Sequence, residues 1–317
     1  MLAALVIGDQ PEPVGAPRVR SRQTPPATWE ALGQVPIARM AEDLKGACDS
    51  VSITTNGRLQ NLVGSNGRAT ADHATHSFAN YQRQGFETVL VVRCGAYVEI
   101  DVADMLSFHQ QQGNELTRAF TDIDNEPLDV WLADPSSLPD NAPLLSALSS
   151  APAAMFRSQK YANRLQSPRD FRRLILDCFQ GRCNLRPHGT EVKPGVWVCE
   201  GAQIARSARI VAPAFVGRNV QISDECLITR GSNIESNSVV DYGTVVEDSS
   251  VLSNTYVGIG LDLSHSIVDG RNLLNLQHNV SLEITDPVVM RENDTSVRGY
   301  ETSAGIESDR VALSSAE

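Results

Sequence analysis

The 317-residue chain has no apolar run near the roughly 18 residues that a membrane-crossing helix needs, so no membrane span is expected. Its N-terminus, MLAALVIGDQ, lacks the basic start and small-residue cleavage site of a secretory leader, and reads as a buried first strand. Positive charge is in deficit: 27 Lys and Arg stand against 38 Asp and Glu, a net charge of −11. A sequence-independent grip on nucleic acid is not expected of such a chain. The local cluster Arg169, Arg172, Arg173, Arg182 and Arg186 is read as a solvated helix face. None of the six cysteines (Cys48, Cys94, Cys178, Cys183, Cys199, Cys226) forms a CxxC pair with metal spacing. They sit mostly among apolar neighbours, which fits reduced, buried thiols in a cytoplasmic protein better than a disulfide framework. With 41% hydrophobic and 21% charged residues, the chain is globular and long enough for about two domains.

What is present is a repeat. Counted in sixes from Val198, the positions Val198, Ile204, Ile210, Val216, Ile222, Ile228, Ile234, Val240, Val246 and Leu252 are all aliphatic. Four residues after each comes a mostly small or β-branched residue, from Ala202 to Tyr256. A period of six fits neither a helix nor a simple alternating strand. It fits a solenoid in which each hexapeptide makes one short parallel strand and one turn, and three hexapeptides close a triangular coil. The aliphatic residue points inward and the small one fills the corner. The pattern resembles the left-handed parallel β-helix of hexapeptide-repeat proteins over about residues 196–270. A second aliphatic row (Val251, Val257, Leu263) carries the coil past the break at Gly258. Trp197 is expected to plug the first coil, and His188 to help the chain enter it. Glu235, Asp241 and Glu247 share a repeat position and are expected to form one acidic ladder.

The first half reads as α/β. Residues 3–7 and 88–93 are apolar enough for buried parallel strands, and 51–54 for a second strand. Pro36 opens a helix with Ile37, Met40, Ala41 and Leu44 on one face. Residues 73–84 and 101–112 read as two more helices. Residues 115–121 and 128–133 read as antiparallel strands about the turn Asp124–Pro127. The Pro/Ser/Ala-rich stretch 135–152 reads as a surface connection. Ser167-Pro168-Arg169-Asp170 has the cap, the first-position proline and the first-turn acid of a helix start.

Several pieces resemble the sugar-phosphate nucleotidyltransferases, in particular mannose-1-phosphate guanylyltransferases and related NDP-sugar pyrophosphorylases. They are ALVI followed by glycine, VPIARMAEDLKGA, the segment VVRCGAYVEIDVADMLSFHQQQG with Asp101, Phe108, His109 and Gly113 matching, and TRAFTDIDNEPLDVWLADP. The resemblance implies an α/β Rossmann-like nucleotidyltransferase-type domain (1–165); the helix start at Ser167, the hexapeptide period and the Ser-, Glu- and Asp-rich end divide the rest into a linker helix (166–190), a left-handed parallel β-helix (191–285) and a mobile tail (286–317). The resemblance implies a nucleotide or NDP-sugar as ligand, with Gly8, Gly95 and Ala96 at cofactor-binding positions. If the chain is active it also implies Mg²⁺, with Asp101 as the candidate ligand.

The departures bear on chemistry. The family's G-G-x-G-T-R-L phosphate loop becomes Gly8-Asp9-Gln10-Pro11-Glu12-Pro13, which has one glycine, two prolines without N–H donors and two carboxylates that repel phosphate. Arg18, Arg20 and Arg22 follow as candidate phosphate ligands. The family's "PKP" lysine falls in Pro25-Pro26-Ala27, and its metal-binding aspartate falls on Ala96. The sequence therefore reads as a catalytically impaired family member, acting in sugar-nucleotide and polysaccharide-precursor metabolism as a binding, regulatory or scaffold protein. Two alternatives stand beside it. One is a working sugar-1-phosphate nucleotidyltransferase. The other is a hexapeptide acyltransferase using acyl-CoA, with His265 or His278 as general base. His73 and His76 share a helix face without a third metal ligand, and Cys94 reads as core. A homo-oligomer through the β-helix is expected.

Overall fold

The computed structural model describes residues 1–8, 26–55, 71–93, 95–138 and 143–293. They form two units, the first drawn from 1–8 and 35–166 and the second from 26–34 and 167–293. No helix among the described residues is long and apolar enough to cross a membrane.

In the first unit β1 (Leu2–Gly8) lies between β2 (Ser50–Thr55) and β3 (Thr88–Arg93), parallel to both. Leu2 through Ile7 are all buried, which explains the unbroken apolar run. After β4 (Tyr97–Val98) come β5 (Leu116–Thr121) and β6 (Pro127–Ala133), the antiparallel pair expected from sequence. With β7 (Ala154–Ser158) they complete a mixed sheet of order β2-β1-β3-β6-β5-β7. β8 (Ala162–Asn163) pairs antiparallel with β4. Among the described residues four helices accompany these strands: α1 (Pro36–Lys45), α2 (Ala71–Arg83), α3 (Val102–Gln111) and α4 (Leu144–Ser150). α4 corrects the reading of 135–152 as a surface connection. Leu144 and Leu148, four residues apart on one helix face, are buried in the cluster that holds Leu5, Phe78 and Trp131. The flanking prolines and serines hide that short apolar face.

The second unit opens with Trp29, Ala31 and Leu32, all buried, and continues in α5 (Pro168–Phe179). Ser167 caps α5 reciprocally with Asp170, as its sequence predicts. Trp29 meets Phe171 of this helix edge to face, 5.0 Å between ring centres.

Beyond α5 the chain stacks short parallel strands in three ladders, an arrangement compatible with a β-helix. The first ladder holds β10 (Val196–Val198), β13 (Ala214–Val216), β16 (Ser232–Ile234), β19 (Ser250–Val251) and β22 (Ser266–Asp269). The second holds β11 (Gln203–Ile204), β14 (Gln221–Ile222), β17 (Val239–Val240) and β20 (Thr255–Val257). The third holds β12 (Arg209–Ile210), β15 (Leu227–Thr229), β18 (Val245–Glu247) and β21 (Asp262–Ser264). Antiparallel strands border them. β9 (Thr190–Lys193) lies beside β10, β23 (Asn272–Asn275) and β24 (Val280–Glu283) follow β22, and β25 (Met290–Glu292) lies beside β20. Residues 290–292, assigned from sequence to the tail, thus belong to a sheet. Residues 294–317 lie outside the described residues.

The aliphatic rows form the core of the stack. Val196 lies beside Ala214 and Ala214 beside Ser232, a spacing of 18 residues, or three hexapeptides. Ile234, however, lies beside Val251, a spacing of 17. The two-residue turn Arg230-Gly231 is answered one coil later by Asp248 alone. The inner row therefore runs through Val251, Val257 and Leu263, and Leu252, counted in the row from sequence, is not in it. Ser232, Ser238, Thr244 and Ser249 do more than fill corners. Each donates its hydroxyl to a carbonyl of the next coil and accepts a backbone N–H from it, as Thr244 does from Leu261 and to Gly258. These buried backbone groups are thereby satisfied.

Two smaller expectations fail for geometric reasons. Trp197 alternates with the inward Val198 and so points outward beside Phe215 rather than plugging the coil. Glu235, Asp241 and Glu247 are spaced by one hexapeptide, a third of a coil. They therefore stand at the ends of three different ladders and form no acidic ladder.

Candidate functional site

At the carboxyl ends of β1, β2 and β3 stand Gly8, Thr55 and Arg93, and the chain turns through Gly95 and Ala96, both half-buried, into β4. Ligands of open α/β sheets bind outside such ends. The carboxylates nearby in sequence are engaged. Asp101 is the N-cap of α3: its Oδ1 accepts the Asp104 backbone N–H at 3.1 Å, and its Oδ2 lies 3.7 Å from Lys160 Nζ. Tyr97 donates its hydroxyl to Glu99 at 3.3 Å. A magnesium ion needs hard oxygen donors. Ala96 offers none, Asp101 is spent on the helix and Lys160, and no group of three His, Cys, Asp or Glu gathers among the described residues. These residues do not fit the ion. Arg18, Arg20, Arg22 and Cys94 lie outside the described residues. His109 lies inside the unit, 2% exposed, with Nδ1 2.8 Å from Thr117 Oγ1 and Nε2 3.1 Å from Asp134 Oδ1. Both its nitrogens are occupied, so it ties α3 to β5 and to the end of β6 and is closed to a ligand.

The second unit holds a different constellation. The shortened coil stacks His265 directly over Asp248, each a single-residue turn with positive φ (47° and 43°). His265 Nδ1 lies 2.6 Å from Asp248 Oδ2. The His265 side chain is 41% exposed. Asp248 Oδ1 accepts from Arg172 Nη2 at 2.8 Å. Arg172, read from sequence as part of a solvated face, is buried, and its Nη1 donates to Asn233 Oδ1 at 3.1 Å. Asn233 Nδ2 donates in turn to Glu235 at 2.6 Å.

Glu235 closes this chain of contacts. It is fully buried and accepts the backbone N–H of Leu32 at 2.8 Å and of Gly33 at 3.0 Å. Leu32 and Gly33 both have positive φ (55° and 82°), so successive N–H groups form a nest around the carboxylate. A Cβ at Gly33 would stand 2.9 Å from His188 Cβ, so glycine is required there. Burial first, and then the neighbouring Glu30, push the Glu235 carboxyl up to about 8. The three N–H donors oppose that rise without cancelling it.

No protein-family model matches the chain, and no curated protein matches it. Of the sequence candidates, His265 gains an orienting partner. Asp101 is a cap, Gly8, Gly95 and Ala96 mark a strand edge without a ligand set, and His278 is exposed with only its backbone N–H bound, to Asn275. His76 is exposed on α2. Among the cysteines, Cys178 and Cys183 are buried, with both sulfurs on the Leu185 carbonyl. Burial pushes the Cys48 and Cys199 thiols up to about 11, so neither is poised as a nucleophile.

Proposed function

We propose that this chain is a sugar-phosphate nucleotidyltransferase-like protein that holds an NDP-sugar or nucleotide without catalysing transfer, its first unit a Rossmann-like nucleotidyltransferase-type domain and its second a left-handed parallel β-helix. The observation carrying this is Ala96 in the turn after β3, with Asp101, the next candidate, committed to the cap of α3. Transfer to phosphate needs charge neutralisation at that edge, whereas binding needs only the strand ends and their turns. The activity of such a protein would be regulatory or scaffolding, in polysaccharide-precursor metabolism. Thermal-shift titration tests it. An NDP-sugar at 100 times its Kd should stabilise the protein by about 2.7 kcal/mol, equally with Mg²⁺ and with EDTA, and no pyrophosphate should be released from NTP and sugar 1-phosphate. Magnesium-dependent pyrophosphate release would sink the proposal in favour of an active transferase.

One observation favours a second reading, acyl transfer from acyl-CoA with His265 as general base. Asp248 fixes the Nδ1 side of the imidazole, which leaves Nε2 as the nitrogen able to take a proton from a hydroxyl or amine. On this reading His265→Ala lowers acetyl transfer from acetyl-CoA by about 100-fold or more and leaves the melting temperature within a few degrees of wild type. If no acyl acceptor in a hydroxyl and amine panel consumes acetyl-CoA, this reading is lost.

A further inference from the structure

The three ladders differ in what lies over them. Outward positions of the first are covered from within the unit, with Phe215, Asn233 and Ser250 fully buried. On the second, Arg291 lies 3.5 Å above the Tyr256 ring at one end, and the other outward positions, Gln203, Gln221 and Val239, carry no charge. The third ladder carries an outward column, Arg209, Leu227, Val245 and Asp262, each beside the next in register; a second outward column, Thr229, Glu247 and Ser264, runs beside it, and its one charge, Glu247, is already paired with Arg230 at 2.8 Å. The first column's two end residues are exposed and its two middle residues half-buried. Neither Arg209 nor Asp262 has an ion-pair partner among the described residues.

The column reads cation, apolar, apolar, anion, at the strand spacing of about 4.8 Å. A two-fold axis lying along the strands, between β15 and β18, reverses the order of the coils and preserves each residue's place along its strand. It sets Arg209 of one copy against Asp262 of the other, twice, and Leu227 against Val245, twice. A parallel or head-to-tail pairing gives no such match. We propose that the third ladder is the contact face of an isologous dimer in which two copies of this chain pack with their stacks antiparallel. The proposal is independent of any ligand of the first unit. Four short strands make a face below the about 800 Å² per partner of standard interfaces, so the dimer forms in the micromolar range, and its rim ion pairs make it sensitive to salt.

Sedimentation velocity on the full chain tests this across about 1–100 μM, a range chosen for that weak class. Wild type should shift from monomer to dimer, and less so at high salt. Arg209→Asp sets like charges opposite each other and should raise Kd at least tenfold, as should Leu227→Glu. The double charge swap R209D/D262R rebuilds both pairs and should return Kd to near wild type, as should mixing R209D with D262R protein. Circular dichroism matching wild type shows that each variant is folded. A wild-type monomer at the top of the range, an assembly indifferent to R209D, or a double swap as weak as the single would each overturn the proposal, the first pointing to a different protein as occupant.

Discussion

Asp248→Ala should cost the second unit about 3–5 kcal/mol, because it strands a buried cation. Arg172 keeps its contact with Asn233 in that variant, but the charge at 5% side-chain exposure loses the one carboxylate partner it has among the described residues. Burial already pulls the Arg172 guanidinium down, with Asp248 the group that holds it up. Adding Arg172→Met to Asp248→Ala removes the stranded charge and should recover more than half of the loss, a coupling that a double-mutant cycle isolates. Urea unfolding followed by tryptophan fluorescence measures both. A loss below about 1 kcal/mol, the range of surface pairs, would show that Arg172 reaches water in solution.

Glu235 should make stability fall as pH rises. Its folded carboxyl sits at about 8 against an ordinary value of 4.5. Below the lower value both folded and unfolded chains hold the proton, and the contribution is fully present. Between the two, the unfolded chain releases the proton and the folded one retains it, so stability declines with pH and the slope vanishes above about 8. Glu235→Gln does not titrate. The difference in unfolding free energy between wild type and this variant should therefore drift against wild type from pH 5 to 8, by about 4 kcal/mol at most. A constant difference across that range would mean that the nest of N–H donors keeps Glu235 ionised throughout. The groups facing it are Glu30, itself bonded to Ser236 and Ser253, the amide of Asn233 and the backbone of Leu32 and Gly33. Glu30→Gln should reduce the drift by removing the neighbouring charge.

The inward row was legible because every coil asks the same thing of it, an aliphatic side chain each six residues. The slip at Asp248 was not, since Leu252 is as aliphatic as Val251 and only the pairing of strands decides between them. His265 stood out as a titratable residue near a repeat's end. Its partner lies 17 residues earlier, a distance meaningful only once a coil is known to have lost one residue. Arg172 looked solvated because arginine on an amphipathic helix usually is, and its burial depends on Asn233 and Asp248 from two different coils. The contribution of residues 26–34 to the second unit was hidden for the same reason. A glutamate more than 200 positions away receives their N–H groups, and no local pattern announces it. In the first unit the pair β5 and β6 was legible from the turn Asp124–Pro127 between two strand-like runs. The seven residues of α4 were too few to show their period.

The strands that border the ladders run antiparallel to the ladder strands they meet. A parallel stack is a one-dimensional polymer of like coils, and nothing in its hydrogen bonding says where to stop. β9 and the β23–β24 pair terminate both ends of the first ladder, and β25 terminates one end of the second. Among the described residues, neither end of the stack leaves all three ladder edges open for a second molecule to continue. The bordered edges therefore oppose growth by end-to-end addition.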